Sequence, residues 1–317
     1  MKKLILIVVL IILSFISIFI GNYKISPLSL FSLEPQEINI LLTSRIPRLI
    51  SVLVTGVGMS ISGLIMQQIT RNKFVAPSTA VTVDAAKLGV LFSLLLIPSA
   101  NAFGKMTLAF IFSLAGTMLF MVLLKRIKVK NVIFIPLLGI MLGNLIDSLT
   151  TFFAYRFDII QVINSFMVGN FSLVIKGRYE LLYISLPLVI LAYFYANQFT
   201  VAGLGEDFAK NLGLNYNRVV NIGLIIVSLI TASVVITVGS VPFLGLIIPN
   251  IVSLYRGDHI KHTIFDTAIL GAVFLLFCDI LSRILIFPYE ISIGLTVAVF
   301  GSIIFIVLLF RRLAHEG

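Results

Sequence analysis

Long apolar stretches, each about the length needed to cross a bilayer as a helix, recur along the whole 317-residue chain. Ten such stretches are predicted, at residues 4–21, 47–69, 78–98, 106–124, 131–153, 180–197, 217–237, 241–255, 264–285 and 292–310. They are continuous runs and do not show the short alternating segments of a membrane barrel. The predicted fold class is therefore an all-α polytopic membrane protein with about ten transmembrane helices, forming one domain over residues 1–317.

Composition supports the same class. Hydrophobic residues make up 59% of the chain and charged residues 11%, whereas soluble domains carry about 25% charged residues. The formal net charge is +10, but the basic residues lie at the ends of apolar stretches, so they indicate topology and not nucleic-acid binding. If the N-terminus is placed inside, more Lys and Arg residues fall at the inner ends of the stretches than at the outer ends. Both termini are therefore predicted to be cytoplasmic, and the first stretch is predicted to be an uncleaved span.

Residues that could support catalysis or metal binding are sparse. A single Cys278 excludes a disulfide framework, and the three histidines, His259, His262 and His315, all fall in predicted cytoplasmic segments. No H-E-x-x-H or phosphate-binding loop motif occurs, and no hydrophilic connection is long enough for a nucleotide-binding domain. We expect no enzymatic activity, no cofactor and no tightly bound metal. If transport uses ATP, a separate chain must hydrolyse it.

Arginines cluster on the side predicted to be outside. Arg45 and Arg48 flank Pro47 at the start of the second span, and their side chains are expected to point into the outer aqueous layer. They could be interfacial side chains that snorkel, or a docking patch for an anionic partner. Arg283 lies four residues after Asp279, so its alternatives are docking and an ion pair within one helix.

A cytoplasmic segment at residues 203–220 predicts a short amphipathic helix. Its acidic first turn begins at Glu206, and Gly213 is placed to cap its C-terminus. A solvated loop is the simpler interpretation, and a lever for a cytoplasmic partner is the functional one. The residues assigned to that lever are Gly205, Glu206, Ala209, Leu212 and Gly213.

Small and flexible side chains alternate in the second span. Gly56 and Gly63 would allow neighbouring backbones to approach closely, so helix packing is the favoured interpretation for them. Met59, Met66 and Gln67 are candidates for lining a pathway.

A few ionisable residues fall inside predicted spans. Lys87 is one turn from Asp84, and a pair between them is the cheapest explanation. Asp84, Asp147 and Asp279 are also the acids that a proton- or sodium-coupled secondary transporter would use. This rival function remains open from the residues alone, whereas the Gly- and Pro-broken spans do not fit a purely structural scaffold.

Taken together, these motifs resemble the ABC permeases that import iron–siderophore complexes, haem and cobalamin. The resemblance covers essentially the whole chain. It is carried by the following motifs: R-I-P-R at 45–48, G-x-x-x-S-x-S-G-x-x-x-Q at 56–67, the loop at 209–213, G-x-x-x-F-L-G-L-I-I-P at 239–249, and D-x-x-x-R followed by E-x-x-x-G at 279–294.

The resemblance implies a pair of permease subunits with the pathway between them, the second being a homologous chain in a heterodimer or an identical one in a homodimer. It also implies two cytoplasmic ATPase subunits and an extracytoplasmic siderophore-binding lipoprotein, in the lipid of a bacterial cytoplasmic membrane. That lipoprotein would dock onto Arg45, Arg48 and Arg283, and the ATPase would contact residues 205–216.

Three motifs depart from the usual family pattern: N-K-F-V-A-P at 72–77, P-N-I-V-S at 249–253 and E-I-S-I-G at 290–294. They indicate a divergent branch, most similar to the permeases for catecholate siderophores of the petrobactin type from Gram-positive bacteria. The predicted function is import of an iron(III)–siderophore complex. Haem import, cobalamin import and ion-coupled transport are the alternatives.

Overall fold

The computed structural model describes residues 2–21, 23, 34–99, 101–127 and 134–316. Fourteen α-helices form within these residues, and the same residues contain isolated β-bridges but no strand. In chain order they are α1 (Lys2–Phe19), α2 (Pro35–Ile40), α3 (Ile46–Ile69), α4 (Thr82–Leu96), α5 (Ala102–Ile127), α6 (Phe134–Arg156), α7 (Ile160–Met167), α8 (Ser185–Phe194), α9 (Ala196–Gly203), α10 (Glu206–Asn211), α11 (Tyr216–Thr237), α12 (Leu244–Arg256), α13 (Ile260–Ile284) and α14 (Ile293–Glu316). A π-helical turn at Leu41–Arg45 joins α2 to α3.

Each of the ten predicted stretches contains a helix, although residues 131–133 at the start of the fifth lie outside the described part. In the described part, six helices are long and apolar enough to cross a membrane. They are Pro35–Ile69, Ala102–Arg126, Phe134–Arg156, Tyr216–Thr237, Ile260–Ile284 and Ile293–Phe310. A seventh crossing is possible if Glu180–Phe194 and Ala196–Gly203, which are bent by 62°, form one span. The all-α polytopic fold is thus confirmed.

The remaining three predicted spans contain shorter helices. Two are apolar, Leu4–Phe19 and Leu244–Arg256, and the third is α4, which has 15 residues and carries Asp84 and Lys87. A 15-residue helix is about 22 Å long, which is less than the roughly 30 Å of a bilayer core. The predicted ten spans therefore exceed the six or seven that meet the length and hydropathy requirements.

Helix α3 lies at the centre of the packing, and 78% of its apolar window is buried. Its glycines are the reason that neighbours approach so closely. A Cβ on Gly63 would overlap the backbone of Gly245 on α12, and a Cβ on Gly56 would come within 2.7 Å of the Ala272 Cα on α13. The packing role predicted for Gly56 and Gly63 is confirmed.

The eighth predicted stretch, residues 241–255, is interrupted before its helix begins. Gly239 and Phe243 both have positive φ, of 96° and 61°, and the chain turns there before α12 begins at Leu244. Pro249 then lies inside α12, which continues to Arg256. Because proline has no N–H, the carbonyl of Gly245 loses its helical hydrogen bond and needs another donor.

Two spans leave most of their surface uncovered. Only 22% of the apolar window is buried in α6 and in α14, against 72% in α11 and 56% in α13. Large side chains such as Leu145 and Phe152 on α6 are more than half exposed. An exposed apolar face of this size is either in contact with lipid or covered by another protein.

Candidate functional site

A buried ionic cluster crosslinks α3 and α13 on the side predicted to be outside. Arg48 donates from Nε and Nη2 to Oδ1 of Asp279 at 3.1 and 2.9 Å, and from Nη1 to Oε2 of Glu290 at 2.7 Å. Asp279 is fully buried and Arg48 is 8% exposed. Removing one partner of such a pair costs about 3–5 kcal/mol, since the other charge is left buried and unpaired.

Arg283 ties the same cluster to α1. Its Nη2 donates to Oδ2 of Asp279 and to Oγ of Ser17, both at 2.6 Å. Its Nη1 donates to the carbonyls of Ser17 and Ile20 at 2.9 and 2.8 Å. The ion pair within one helix, which the four-residue spacing indicated, is therefore present. It satisfies both oxygens of Asp279 together with Arg48.

Arg45 has no carboxylate partner among the described residues. It is 9% exposed and donates from Nη2 to the Tyr23 carbonyl at 2.9 Å. We refer to Arg45, Arg48, Asp279, Arg283 and Glu290 as the outer cluster. Three guanidinium groups face two carboxylates in it, so its formal net charge is +1.

The expectation that Arg45 and Arg48 point into the outer aqueous layer is wrong. Arg45, Arg48 and Arg283 are 9%, 8% and 3% exposed. The physical reason is that two carboxylates are buried beside them and need cations and hydrogen-bond donors. The docking role assigned to the arginines stays a prediction, but it has to act through buried side chains.

Glu290 is the accessible carboxylate of the outer cluster, with 22% of its side chain exposed. Ser172 also donates from Oγ to Glu290 Oε2. Burial raises the pKa of Glu290, but the Arg48 charge and the hydrogen bonds from Ser172 and Arg48 outweigh it, and the net pKa is below the usual value. Glu290 is therefore ionised at neutral pH.

The residues assigned to a pathway lie inside the chain instead. Met59, Met66 and Gln67 are 3%, 0% and 3% exposed. Nε2 of Gln67 donates to the carbonyls of Leu246 at 3.2 Å and Gly245 at 3.4 Å. Gly245 is the carbonyl that Pro249 leaves without a helical donor, so Gln67 serves helix packing. The lining assignment is corrected for all three, since buried side chains have no surface to offer.

The predicted cytoplasmic helix is present as α10. Gly205 precedes it with a φ of +120°, and Glu206 forms ion pairs with Lys210 at 2.9 Å and with Lys125 on α5 at 3.7 Å. The hydrogen bond from Lys210 is the main cause of the lowered pKa of Glu206. These contacts hold the first turn of α10 against the end of α5.

The C-terminus of α10 ends in a Schellman motif. The N–H of Leu214 donates to the Ala209 carbonyl and the N–H of Gly213 donates to the Lys210 carbonyl, both at 2.9 Å. Gly213 has a φ of +77°, which a glycine adopts without strain. The capping role predicted for Gly213 is confirmed.

The two faces of α10 differ in burial. Ala209 is fully buried against the body of the protein, whereas Phe208 and Leu212, one helical turn apart, are 51% and 62% exposed. Leu204, just before the helix, is 56% exposed. A short capped helix that presents large apolar side chains to water has the surface of a protein contact.

A second ionic group lies between α4 and α6. Nζ of Lys87 is 2.6 Å from Oδ1 of Asp147, and Asp84 packs against Gly143 of α6 closely enough that a side chain there would collide with its carboxylate. Among the described residues, the ion pair of Lys87 is thus with Asp147. The expected pair with Asp84 is wrong, because the sequence did not show that α6 packs on α4.

The chain is similar along its length to known permeases. The profile of the FecCD transport family matches residues 9–311. The petrobactin import system permease protein YclN of Bacillus subtilis (strain 168) is 62% identical over 315 residues, covering 99% of this chain and all of that protein. The petrobactin import system permease protein FatD of Bacillus anthracis is 40% identical over 98% of this chain and 91% of its own length.

A third relative and a solved structure agree. The ferric-anguibactin transport system permease protein FatD of Vibrio anguillarum (strain ATCC 68554 / 775) is 40% identical over 86% of each chain. The fold matches a metal-chelate type ABC transporter in an inward-facing conformation, with a TM-score of 0.83 and 23% identity over 98% of this chain and 100% of that one. The chain therefore belongs to the FecCD transport family.

Proposed function

We propose that this chain is the permease subunit of an ABC importer that carries an iron(III)–siderophore complex across the bacterial cytoplasmic membrane. The observation that carries the proposal is 62% identity to a petrobactin import permease over essentially the full length of both chains. Two further relatives at 40% identity are named for petrobactin and anguibactin import. A siderophore therefore has more support as the cargo than haem or cobalamin.

The permease needs ATP hydrolysed on another chain. Helix α10 supports such a partner, because its buried Ala209 anchors it while Phe208 and Leu212 offer an apolar ridge. Closure of two ATPase subunits would move the ridge and, through the ion pairs of Glu206, the end of α5. ATP would drive net import because the two states of the pathway differ in their affinity for the ATPase conformations.

The outer cluster is the proposed docking face for a siderophore-binding lipoprotein. Its net charge of +1 favours an acidic partner, although its arginines are already hydrogen-bonded. Docking would act by exchange: a partner carboxylate replaces Glu290 at Arg48, while Asp279 keeps both of its arginines. Arg45, which lacks a carboxylate partner in the described residues, would bind the second acid.

A second permease subunit is the partner proposed for the uncovered faces of α6 and α14. Both spans have 22% of their apolar windows buried, the lowest fraction of the six. A homologous chain would cover part of these faces and leave the pathway between the two subunits. A heterodimer is the preferred form of this proposal, with a homodimer as its alternative.

The ion-coupled alternative has less support in the geometry. A carrier acid must be able to exchange its proton or ion, but Asp279 is fully buried and held by two arginines. Asp147 is already paired with Lys87. For Asp279 and Asp147, these contacts fit structural ion pairs better than a coupling site.

The test is uptake of radioactive iron by cells that lack this gene. The iron is supplied separately on several siderophores and in haem, and uptake of cobalamin is measured in parallel. We expect loss of uptake from one catecholate siderophore, restored by the gene but not in a strain that lacks the cognate ATPase. Unchanged uptake from every siderophore would contradict the proposal.

A further inference from the structure

We propose that the inner ends of α5 and α11 form a binding site for one anionic phospholipid of the inner leaflet. Its phosphate would lie among Lys125, Arg126 and Arg218, which we call the inner basic group. Its acyl chains would lie on exposed apolar side chains of the same two helices. The inference goes beyond the import function, and its test requires no transport substrate.

The two helix ends are in direct contact. Nζ of Lys125, in the last turn of α5, donates to Oδ1 of Asn217, in the first turn of α11, at 3.3 Å. The same Nζ lies 5.5 Å from the centre of the Tyr216 ring. Arg126 and Arg218 are the next residues along each helix, so three cations from two helices meet at this junction. In the predicted topology the junction lies at the cytoplasmic surface of the membrane.

The inner basic group carries charge that the described part of the chain does not neutralise. Arg126 and Arg218 are exposed, and neither forms an ion pair within the described residues. Lys125 pairs with Glu206 on α10 at 3.7 Å, but Lys210 holds the same carboxylate at 2.9 Å. Three formal positive charges therefore face one carboxylate that already has a closer partner, and the field at the junction favours an anionic ligand.

An exposed apolar surface continues from these cations into the membrane. On α5, Leu119 and Val122 precede Arg126 by seven and four residues and are 48% and 49% exposed. On α11, Ile225 follows Arg218 by seven residues and is 37% exposed. Spacings of four and seven place side chains on the same face of a helix. Each arginine therefore lies at the inner end of a lipid-facing apolar strip.

Charge and apolar surface together define the occupant. A soluble anion or an acidic protein would contact the cations but leave the apolar strips uncovered, whereas a phospholipid has a phosphate for the cations and acyl chains for the strips. Each Lys or Arg near an anionic membrane surface strengthens binding about fivefold. The ridge where the ATPase is proposed to bind is formed by other residues, Phe208 and Leu212 of α10.

The chain contains no Trp, so one introduced tryptophan reports on the lipid at a chosen position. The variant Leu119→Trp of the full-length protein is placed in bilayers of phosphatidylcholine and phosphatidylglycerol, and one of the two lipids is dibrominated so that it quenches fluorescence. The quenching gives the relative affinity of the two lipids beside residue 119. We expect phosphatidylglycerol to bind at least about fivefold more tightly than phosphatidylcholine.

A matched reporter and three charge variants are the controls. Ile190→Trp places the reporter on α8 at a position that is 57% exposed, and no Lys or Arg occurs at residues 179–209, so it should show no preference. Combined with Leu119→Trp, Arg126→Gln and Arg218→Gln should each reduce the preference, and the two together should abolish it. Arg178→Gln removes an exposed arginine on the side predicted to be outside and should change nothing.

Equal affinities of the two lipids at Leu119→Trp, or a preference that survives the loss of both arginines, would overturn the lipid site. Inorganic phosphate is added against chloride at the same ionic strength, and displacement of phosphatidylglycerol by phosphate alone would assign the cations to a soluble anion instead. The measurement is repeated with the proposed ATPase subunits bound. The preference should persist, and its loss on assembly would assign the cations to a protein interface and contradict the proposal.

Discussion

Arg48 and Asp279 are 231 residues apart in sequence and share two hydrogen bonds, from Nε and Nη2 of the arginine to a single carboxylate oxygen, at 3.1 and 2.9 Å. Arg283 holds the other oxygen at 2.6 Å. The contact locks the start of α3 onto the end of α13, and Arg283 extends it to α1. The outer cluster is therefore a structural device, and docking is a second role that is proposed for it.

Arg48→Gln tests the structural role. It removes the counter-charge shared by Asp279 and Glu290, and we expect a loss of about 3 kcal/mol in the free energy of unfolding. Thermal unfolding of the purified protein in detergent would measure it, with the exposed Arg178→Gln as the matched control. If both variants unfolded at the wild-type temperature, the buried ion pair would not contribute to the stability of the protein.

Glu290→Gln tests the exchange model of docking. The variant keeps Asp279 paired with both arginines and raises the net charge of the outer cluster from +1 to +2. An acidic binding protein should then associate faster, with a steeper dependence on ionic strength. Time-resolved binding of the binding protein to the immobilised, reconstituted transporter would measure the association rate. Arg45→Gln leaves the pair of Arg48 with Asp279 intact and should weaken docking, and unchanged docking in that variant would remove Arg45 from the interface.

Leu212→Asp tests whether α10 acts as the proposed lever for the ATPase. The change puts a charge on the exposed apolar ridge of α10 without touching the buried Ala209, so folding should survive while contact with the ATPase weakens. We expect ATP hydrolysis to continue with transport lowered at least about tenfold. Asn211→Asp adds the same charge on a neighbouring polar position and should transport normally. Normal coupling in Leu212→Asp would reject the lever.

Gly213→Ala tests the cap of α10. A Cβ in the left-handed region costs about 1 kcal/mol, so the last turn of the helix should fray. Faster amide hydrogen exchange over residues 206–214 would report it. Gly213→Asn should show a smaller effect, because asparagine tolerates that conformation. Equal protection in wild type and Gly213→Ala would mean that the Schellman motif does not hold the lever.

The features that the sequence predicted are local ones. The length of the apolar stretches predicted the helices, and the four-residue spacing predicted the ion pair of Asp279 with Arg283. The position of Gly213 after an amphipathic turn predicted the C-terminal cap. Each depends on neighbours within one or two turns. Short helices such as α4 explain why the expected number of spans was higher than the number that meets the length requirement.

The features that the sequence missed depend on which helices touch. Lys87 pairs with Asp147 and not Asp84 because α6 packs on α4, and nothing in either stretch indicates that contact. The sequence predicts Gln67 as a pathway residue, but its side chain donates to the Gly245 carbonyl, which Pro249 on α12 leaves without a helical donor. Predicting either would have required the packing arrangement first.

Reconstitution of this chain in liposomes, together with the proposed second permease subunit, ATPase and binding protein, tests the central claim directly. We predict that accumulation of a ferric catecholate requires ATP on the side of the ATPase and continues after a protonophore collapses the proton gradient. Accumulation that stops with the proton gradient and proceeds without ATP would contradict the importer and favour an ion-coupled carrier.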